Sequence, residues 1–209
     1  MTTAADRSGA QQSRTYRRAD CVVFRKTNET FGGLSNMAGG FPLVVNGIAI
    51  RTSEALYQAC RFPHRPDLQR EIIDQHSPMA AKMKSKPFHP DSRPDWSQVR
   101  VKIMRWCLRV KLAQNWDSFG GLLLSTSDRP IVEESARDTY WGARPIDDGT
   151  LVGRNVLGRL LMELRKQWMD GDKSLEVVEP PSLDNFILYG KPVTTVDRPI
   201  SPPNPTAAP

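Results

Sequence analysis

The sequence has few cysteines, no long apolar run and no signal-peptide core. Its three cysteines, at positions 21, 60 and 107, include no Cys-x-x-Cys pair. This usage predicts free thiols in a reducing compartment. No apolar run approaches the roughly 20 residues that cross a bilayer, and residues 1–20 lack the apolar core of a signal peptide. We therefore expect a soluble intracellular protein, of the cytoplasm or the nucleus.

Several short enzyme motifs are also missing. The sequence contains no phosphate-binding G-x-x-x-x-G-K-[ST], no dinucleotide-binding G-x-G-x-x-G, no H-E-x-x-H and no G-x-S-x-G. The three histidines, at positions 64, 76 and 89, lack the tight spacing of metal ligands. These absences argue against an ordinary serine hydrolase and against a zinc enzyme. We expect neither a metal nor another cofactor.

Length and charge define a broad class. The 209 residues suit one domain with tails. The net charge of +6 makes nucleic acid, nucleotides or phosphorylated metabolites candidate partners. Residues 1–19 have little to bury and are predicted to be a disordered basic arm. Eight of the 17 prolines lie from Pro180 onward, so residues 171–209 are predicted to be an extended or disordered tail around a domain at 20–170.

Two stretches carry strong local signals. Residues 52–62 split into two faces at helical spacing, with Glu54 and Gln58 on the polar face, and Thr52 or Ser53 can cap the helix. Glu54 then lies in the first turn, where the helix dipole favours a carboxylate, and that alone would explain it. Asn46-Gly47 between two apolar runs predicts a β-hairpin.

Short segments follow one another along the chain in a characteristic order. They are Gly33-Leu34-Ser35-Asn36, Ser53-Glu54, Gln58-Ala59, Ser77-Pro78, Ala81-Lys82, Glu133, Asp138, Trp141-Gly142, Asn155, Leu157-Gly158 and Leu161-Met162. Each segment is common alone, but the order and spacing together are specific. From about residue 21 to 169 the series resembles the NADAR (YbiA-like) family. Met37, Ala55 and Arg61 depart from the residues that are usual there.

The resemblance implies a mainly helical α+β fold, in one compact domain with a small β-hairpin or sheet near the N-terminus. It also implies N-glycosidase chemistry without a metal, at a pocket lined by the polar face that bears Glu54. Family members cleave the bond between an exocyclic amino group and a ribose. Their substrates are riboflavin-pathway intermediates or ADP-ribose attached to guanine.

The residue types suit that chemistry. Because the exocyclic nitrogen keeps a hydrogen, the sugar can open to an imine that an amine can attack. Alternatively, a carboxylate can stabilise positive charge at C1 or activate water. We assign Lys82 as the candidate Schiff-base nucleophile and Glu54 as the acid or base. A lysine on a short surface helix is otherwise a solvated residue.

Six further residues are predicted to bind substrate. Trp141 is expected to stack on a base, although a core indole fits the sequence equally well. Asn36 would orient the ribose or brace a turn. Gly153 and Asn155 precede the last helix, whose free N–H groups could receive a phosphate. Gln58 and Asp138 complete the set.

The sequence therefore predicts a hydrolase that removes ADP-ribose from guanine bases in nucleic acid. The partner would be ADP-ribosylated nucleic acid or an ADP-ribose-like nucleotide. Two alternatives remain open. One is an N-glycosidase acting on ribosylamino-pyrimidine intermediates of riboflavin synthesis, and the other is a non-catalytic module that binds ADP-ribose or nucleic acid.

Overall fold

A computed structural model describes residues 12–199, which form six α-helices and eleven short strands. The helices are α1 (Ser53–Ala59), α2 (Pro66–Ile73), α3 (Pro78–Ser85), α4 (Trp96–Gln114), α5 (Trp116–Leu124) and α6 (Val156–Met169). The strands are β1 (Arg14–Arg17), β2 (Val22–Phe24), β3 (Leu43–Val45), β4 (Ile48–Ile50), β5 (Ile131–Glu133), β6 (Arg144–Pro145), β7 (Thr150–Gly153), β8 (Val177–Val178), β9 (Ile187–Leu188), β10 (Lys191–Pro192) and β11 (Val196–Asp197). The predicted α+β fold, mainly helical with small sheets, is confirmed.

Helix α4 runs through the main core. Its apolar positions recur at steps of three and four residues, and Val99, Ile103, Trp106 and Val110 are all buried. Helices α1, α5 and α6 each pack against it. Helix α1 also packs against α2 and α3, so all seven of its residues are buried. A helix buried on every side lies at the centre of the fold, and its polar side chains must therefore have partners within the protein.

The two stretches with strong local signals form the predicted structures. Thr52 caps α1, because its side chain accepts a hydrogen bond from the Ala55 backbone N–H at 3.3 Å. Strands β3 and β4 pair as an antiparallel hairpin, with Val45 opposite Ile48. Asn46 and Gly47 between them have φ of 52° and 75°, the positive values that a two-residue hairpin turn requires.

A parallel strand pair brings distant parts of the chain together. Strand β2 pairs with β5 in parallel, with Val22 opposite Ile131 and Phe24 opposite Glu133. Helix α6 packs against β5. Strand β5 therefore ends at Glu133 in the interior, next to the start of α6.

Both predicted tails contain ordered structure, which corrects the predicted domain boundaries. Strand β1 lies within the predicted arm and pairs with β7, so the disordered arm is wrong for residues 14–17. From 171 to 199 the chain is extended and packs on the core. Its buried residues there are Leu175, Val178, Phe186, Leu188, Val193 and Val196. Residues 1–11 and 200–209 lie outside the described range.

Between residues 12 and 199, no helix is both long enough and apolar enough to cross a membrane.

Candidate active site

One pocket, of about 190 Å³, brings together six of the eight predicted site residues. They are Asn36, Glu54, Gln58, Lys82, Asp138 and Trp141. They come from the loop before β3, helices α1 and α3, and the loop after β5. Only the tertiary fold brings these segments together.

Glu54 lies at the base of this site with only 5% of its surface exposed. One carboxylate oxygen accepts a hydrogen bond from the Asn36 side-chain amide at 2.6 Å. The other accepts from the Gln58 side-chain amide at 2.8 Å. Because two neutral amides hold both oxygens, the carboxylate is fixed in orientation while its charge is not neutralised by a cation.

The two amides are themselves held in place. Gln58 accepts a hydrogen bond from the Ser85 hydroxyl at 2.9 Å. The loop that carries Asn36 is tied down by Lys111, whose buried ammonium donates to the backbone carbonyls of Gly33 (2.8 Å) and Ser35 (3.1 Å). Gln58 and Asn36 therefore position Glu54. The Asn36 carbonyl oxygen is buried without a hydrogen-bond partner, which leaves it able to accept from a substrate hydroxyl.

Lys82 reaches the pocket from α3. This helix begins with Ser77 as its cap and Pro78 as its first residue. Lys82 is exposed, and within residues 12–199 its ammonium forms no hydrogen bond or ion pair. By contrast, Lys84 on the same helix pairs with Glu71 at 2.5 Å. Among the lysines of α3, Lys82 is thus the one available to a ligand.

Glu133 also lines the pocket, although it is not among the eight predicted site residues. Burial raises the pKa of its carboxyl from 4.5 to about 7, and the negative charges of Asp138 and Glu54 act in the same direction. At neutral pH a large fraction of this carboxyl therefore carries a proton. One feature of the sequence could have identified Glu133 as a site residue: its carboxyl directly follows the apolar pair Ile131-Val132. Polar ligand-binding groups often follow buried parallel strands.

Asp138 and Trp141 form one wall of the pocket. One Asp138 carboxylate oxygen accepts from the backbone N–H groups of Tyr140 (3.0 Å) and Trp141 (2.9 Å), so it braces the turn that presents the indole. The Trp141 ring packs against the rings of Tyr57 and Tyr140 in T-shaped geometry, with ring centroids 5.8 and 5.3 Å apart. The indole thus lines the pocket and also packs against the core, and its stacking on a base stays a prediction.

Gly153 and Asn155 do not line the pocket, which corrects their predicted role in substrate binding. A Cβ at Gly153 would lie 2.4 Å from the carbonyl oxygen of Gly142, so glycine is needed there for close chain packing. Asn155 is fully buried, and its side chain donates to Ile131 O at 2.8 Å and accepts from the Glu133 N–H at 3.1 Å.

The start of α6 is also unavailable to a phosphate. The backbone N–H groups of residues 154–157 donate to the carbonyls of residues 139–142, at distances between 2.7 and 3.0 Å. The side chain of Asn155 makes no capping hydrogen bond to the first turn of α6. A tertiary contact satisfies these N–H groups, and sequence spacing cannot reveal such a contact.

Three further residues of the pocket carry or can carry positive charge: Arg61, His89 and Arg100. Burial lowers the pKa of His89, and the nearby charges of Arg61, Lys86 and Lys82 lower it further. Arg61 shares the polar face of residues 52–62 with Glu54, so its position could be read from the sequence. Nothing in the sequence distinguishes Arg100 as a pocket residue, because an arginine on a long helix is usually solvated.

The pocket thus holds three carboxyl groups and several cationic groups. In the described part of the chain no three His, Cys, Asp or Glu side chains are grouped in a way that could hold a metal ion. The arrangement can supply a fixed carboxylate, a carboxyl that retains a proton near neutral pH and an unpaired amine. Those are the groups of acid–base and nucleophilic catalysis.

Comparison with known proteins gives consistent matches. A model of the NADAR domain matches residues 23–169. Over 146 residues the chain is 36% identical to N-glycosidase YbiA of Escherichia coli K12, a match that covers 70% of this chain and 87% of that protein. Over 148 residues it is 33% identical to a riboflavin biosynthesis protein of Vibrio vulnificus, covering 70% of this chain and 38% of that protein.

The fold has a match among solved structures. The NMR structure of the E. coli protein YbiA superposes with a TM-score of 0.62 at 34% sequence identity. The match covers 73% of this chain and 87% of that protein.

Proposed function

Because the chain belongs to the NADAR domain family, as its motifs predicted, we propose that it is an N-glycosidase. Its relatives are named for N-glycosidase activity or for riboflavin biosynthesis, which supports cleavage of a bond between a nitrogen and a sugar. The specific reaction proposed is hydrolysis of the bond between ribose C1 and the exocyclic amino group of guanine. The substrate is ADP-ribosylated guanine in nucleic acid, and the released group is ADP-ribose.

The observation that carries the proposal is the pair Glu54 and Glu133 in one pocket. Two carboxyl groups in different environments can act as an acid and as a base at the same pH. Glu133 is partly buried, and desolvation together with the nearby charges of Asp138 and Glu54 raises the pKa of its carboxyl to about 7. Glu54 instead receives a hydrogen bond from an amide on each of its two carboxylate oxygens.

In the water route, Glu133 gives its proton to the exocyclic nitrogen. The C1–N bond breaks, and its electron pair goes to that nitrogen. Glu54 stabilises the positive charge that develops at C1. A water molecule then bonds to C1 and gives its proton to Glu54, which completes hydrolysis.

In the covalent route, the sugar ring opens first. The bond between C1 and the ring oxygen breaks, the exocyclic N–H gives its proton to that oxygen, and the C1–N bond becomes an imine. The amine of Lys82 adds to C1 and passes its two N–H protons to the guanine nitrogen. The bond from C1 to that nitrogen then breaks, guanine leaves with its amino group restored, and a Schiff base joins the sugar to Lys82. Water hydrolyses this Schiff base. The unpaired amine of Lys82 at the pocket supports this route.

A second substrate has its own support. The riboflavin biosynthesis protein of V. vulnificus is 33% identical over the matched region, which favours a ribosylamino-pyrimidine intermediate as the alternative. The bond cleaved is of the same type. The net charge of +6 favours a nucleic acid, because a polyanion gains more from a basic surface than a small metabolite does.

The decisive experiment offers the full chain both substrates. An oligonucleotide carrying ADP-ribose on guanine and a ribosylamino-pyrimidine phosphate are incubated separately, and released sugar is measured by mass spectrometry. Release of ADP-ribose with an intact guanine supports the proposal. Cleavage of the pyrimidine substrate alone would select the alternative. Binding without cleavage of either would point to a non-catalytic module.

A further inference from the structure

Two arginines of the pocket have no acidic partner. Arg61 and Arg100 both line it, and within residues 12–199 neither forms an ion pair with a carboxylate. The Nε atoms of both are buried without a hydrogen-bond partner. The polar contact of the Arg61 side chain is a long one, 3.5 Å from Nη1 to the Ser92 hydroxyl. Polar groups left in this condition are rare in folded proteins, so a ligand is the natural partner.

Aromatic rings hold both guanidinium groups instead. The Arg61 guanidinium lies over the Trp96 ring, 4.4 Å from its centroid. The Arg100 guanidinium lies over the Tyr140 ring, at 3.8 Å. Stacking uses the flat face of a guanidinium and leaves the N–H groups at its edge free. The two side chains are therefore fixed in position, and apart from the long contact of Arg61 with Ser92 their N–H donors have no hydrogen-bond partner within residues 12–199.

The two positive charges are close enough to act on the same ligand group. Both arginines line the same pocket of about 190 Å³. Burial lowers the pKa of Arg61, Tyr57 and Glu54 act against that shift, and the charge of Arg100 acts in the same direction as burial. Such a pair is unfavourable until an anion neutralises it. Elsewhere the pocket presents the carboxylates of Glu54 and Asp138, which repel an anion, and the amine of Lys82, which the proposed covalent route uses at C1. An anionic part of a ligand is thus directed to the arginines.

We propose that Arg61 and Arg100 form the phosphate subsite of this pocket and hold the phosphate on the C5 oxygen of the substrate ribose. This inference rests on the proposed function for the identity of the sugar. A phosphate can accept hydrogen bonds from two guanidinium groups at once. A phosphate bound in this way would anchor the sugar while Glu54 and Glu133 act at C1. Both candidate substrates carry a phosphate at this position, as a diphosphate in ADP-ribose and as a monoester in the pyrimidine intermediate.

The test measures binding, without turnover. Affinities of the full chain for ribose, ribose 5-phosphate and ADP-ribose are determined by titration calorimetry. We expect ribose 5-phosphate to bind at least tenfold more tightly than ribose. Equal affinity for the two would overturn the proposal without need of any variant. Tighter binding of ADP-ribose assigns the diphosphate, and tighter binding of ribose 5-phosphate assigns the monoester.

Arg100→Gln keeps most of the side chain but removes the charge, and should abolish the preference for the phosphorylated sugar. Arg154→Gln is the matched control. Its guanidinium also lies over Tyr140, at 5.3 Å, but Arg154 does not line the pocket. Arg61→Lys keeps the charge without the planar fork and should lose part of the preference. A folded Arg100→Gln protein that retains the full preference would refute the subsite.

This test is separate from that of the proposed function. If the protein binds ribose 5-phosphate through these arginines but cleaves no N-glycosidic bond, the result supports the subsite and contradicts the proposed function. If the protein is an active N-glycosidase but Arg100→Gln leaves its preference for the phosphorylated sugar unchanged, the result supports the proposed function and contradicts the subsite.

Discussion

Glu54 shows how a buried carboxylate can be held in place without an ion pair to a cation in residues 12–199. Asn36 and Gln58 donate to its two oxygens from different sides, and the side chain is almost fully buried. A salt bridge would neutralise the charge that the reaction needs, whereas two amides orient it and leave it intact. The residues around Glu54 are therefore as important to the site as Glu54 itself.

Glu54→Gln should lower kcat by roughly 10²-fold or more, because the amide cannot take up a proton or stabilise positive charge at C1. Turnover of the preferred substrate is the measurement, with circular dichroism to verify the fold. Glu163→Gln is the control, since Glu163 forms an exposed pair with Arg105. A folded Glu54→Gln enzyme with the wild-type rate would remove Glu54 from the mechanism.

Lys82→Arg separates the covalent route from the water route. Borohydride added during turnover should trap the wild-type Schiff base as an adduct whose mass reports the sugar. Arginine keeps the charge but does not lose its proton in proteins, so the variant should lose both the adduct and turnover. Lys84→Arg, on the same helix, should keep both. Full activity in Lys82→Arg would exclude the covalent route.

The titration of Glu133 should make kcat/KM fall at alkaline pH. If its carboxyl donates the proton to the leaving nitrogen, kcat/KM falls as pH rises above about 7, where that carboxyl loses its proton. Glu133→Gln should lower kcat/KM by roughly 10²-fold and remove this limb of the profile. A wild-type profile that stays level through pH 8.5 would show that another group donates the proton.

The same group should change stability with pH. The folded-state pKa of about 7 lies above the ordinary 4.5, so the folded chain binds more protons between these values. Its contribution to the free energy of unfolding is present below pH 4.5 and is lost as pH rises to about 7. Relative to wild type, Glu133→Gln should therefore gain stability over this window, measured by urea unfolding at each pH.

At the scale of elements, Asn155 connects strand β5 to helix α6. Its φ is 47°, in the left-handed region that asparagine tolerates better than most residues. From there its side chain bonds to Ile131 O and to the N–H of Glu133. One residue thus fixes the end of the strand that carries the proposed acid. Asn155 directly precedes α6 and does not line the pocket, but it should influence catalysis through this contact.

Asn155→Ala should destabilise the protein, because it leaves two buried backbone groups unpaired at about 1–3 kcal/mol each. Asn185→Ala measures the cost of the left-handed backbone alone, since Asn185 has φ of 51° but is exposed. Urea unfolding should show a loss of roughly 2 kcal/mol or more beyond this control. Equal losses in the two variants would show that the buried hydrogen bonds add nothing.

At the scale of the whole molecule, the segment from 171 to 199 is part of the folded unit. It lies beyond the region that the NADAR model matches, which ends at residue 169. Phe186 nevertheless packs edge-on against Trp106 of α4, with centroids 4.9 Å apart. Gln69 of α2 also donates to Ile187 O and accepts from the Tyr189 N–H. The segment therefore packs against α2 and α4.

Leu188→Ala should therefore cost about 2–5 kcal/mol of unfolding free energy, as for a residue of the main core. Leu188 is fully buried, whereas Val177 in the same segment is 50% exposed. Val177→Ala should stay within about 0.5 kcal/mol of wild type. Urea unfolding followed by tryptophan fluorescence measures both. An unchanged midpoint in Leu188→Ala would mean that this segment unfolds apart from the domain.

Local signals in the sequence were sufficient for some elements. The Thr52 cap, the Asn-Gly hairpin and the Ser77-Pro78 helix start depend on hydrogen bonds and dihedral angles within a few residues, so they can be read without tertiary contacts. The order of the motifs was sufficient for the family, and through it for Glu54 and Lys82 as candidates. These are properties of short segments and of their spacing.

Other features depended on contacts between segments far apart in the chain. The burial that raises the pKa of Glu133, the unpaired state of Arg100 and the internal hydrogen bonds of Asn155 arise only when β5, α4 and α6 pack together. The chain after residue 170 is predicted to be extended or disordered because proline and polar residues dominate it, yet several of its apolar side chains are buried in the main core. Whether a polar residue binds substrate, braces a loop or pairs with a neighbour is decided by its surroundings, and tertiary packing supplies those surroundings.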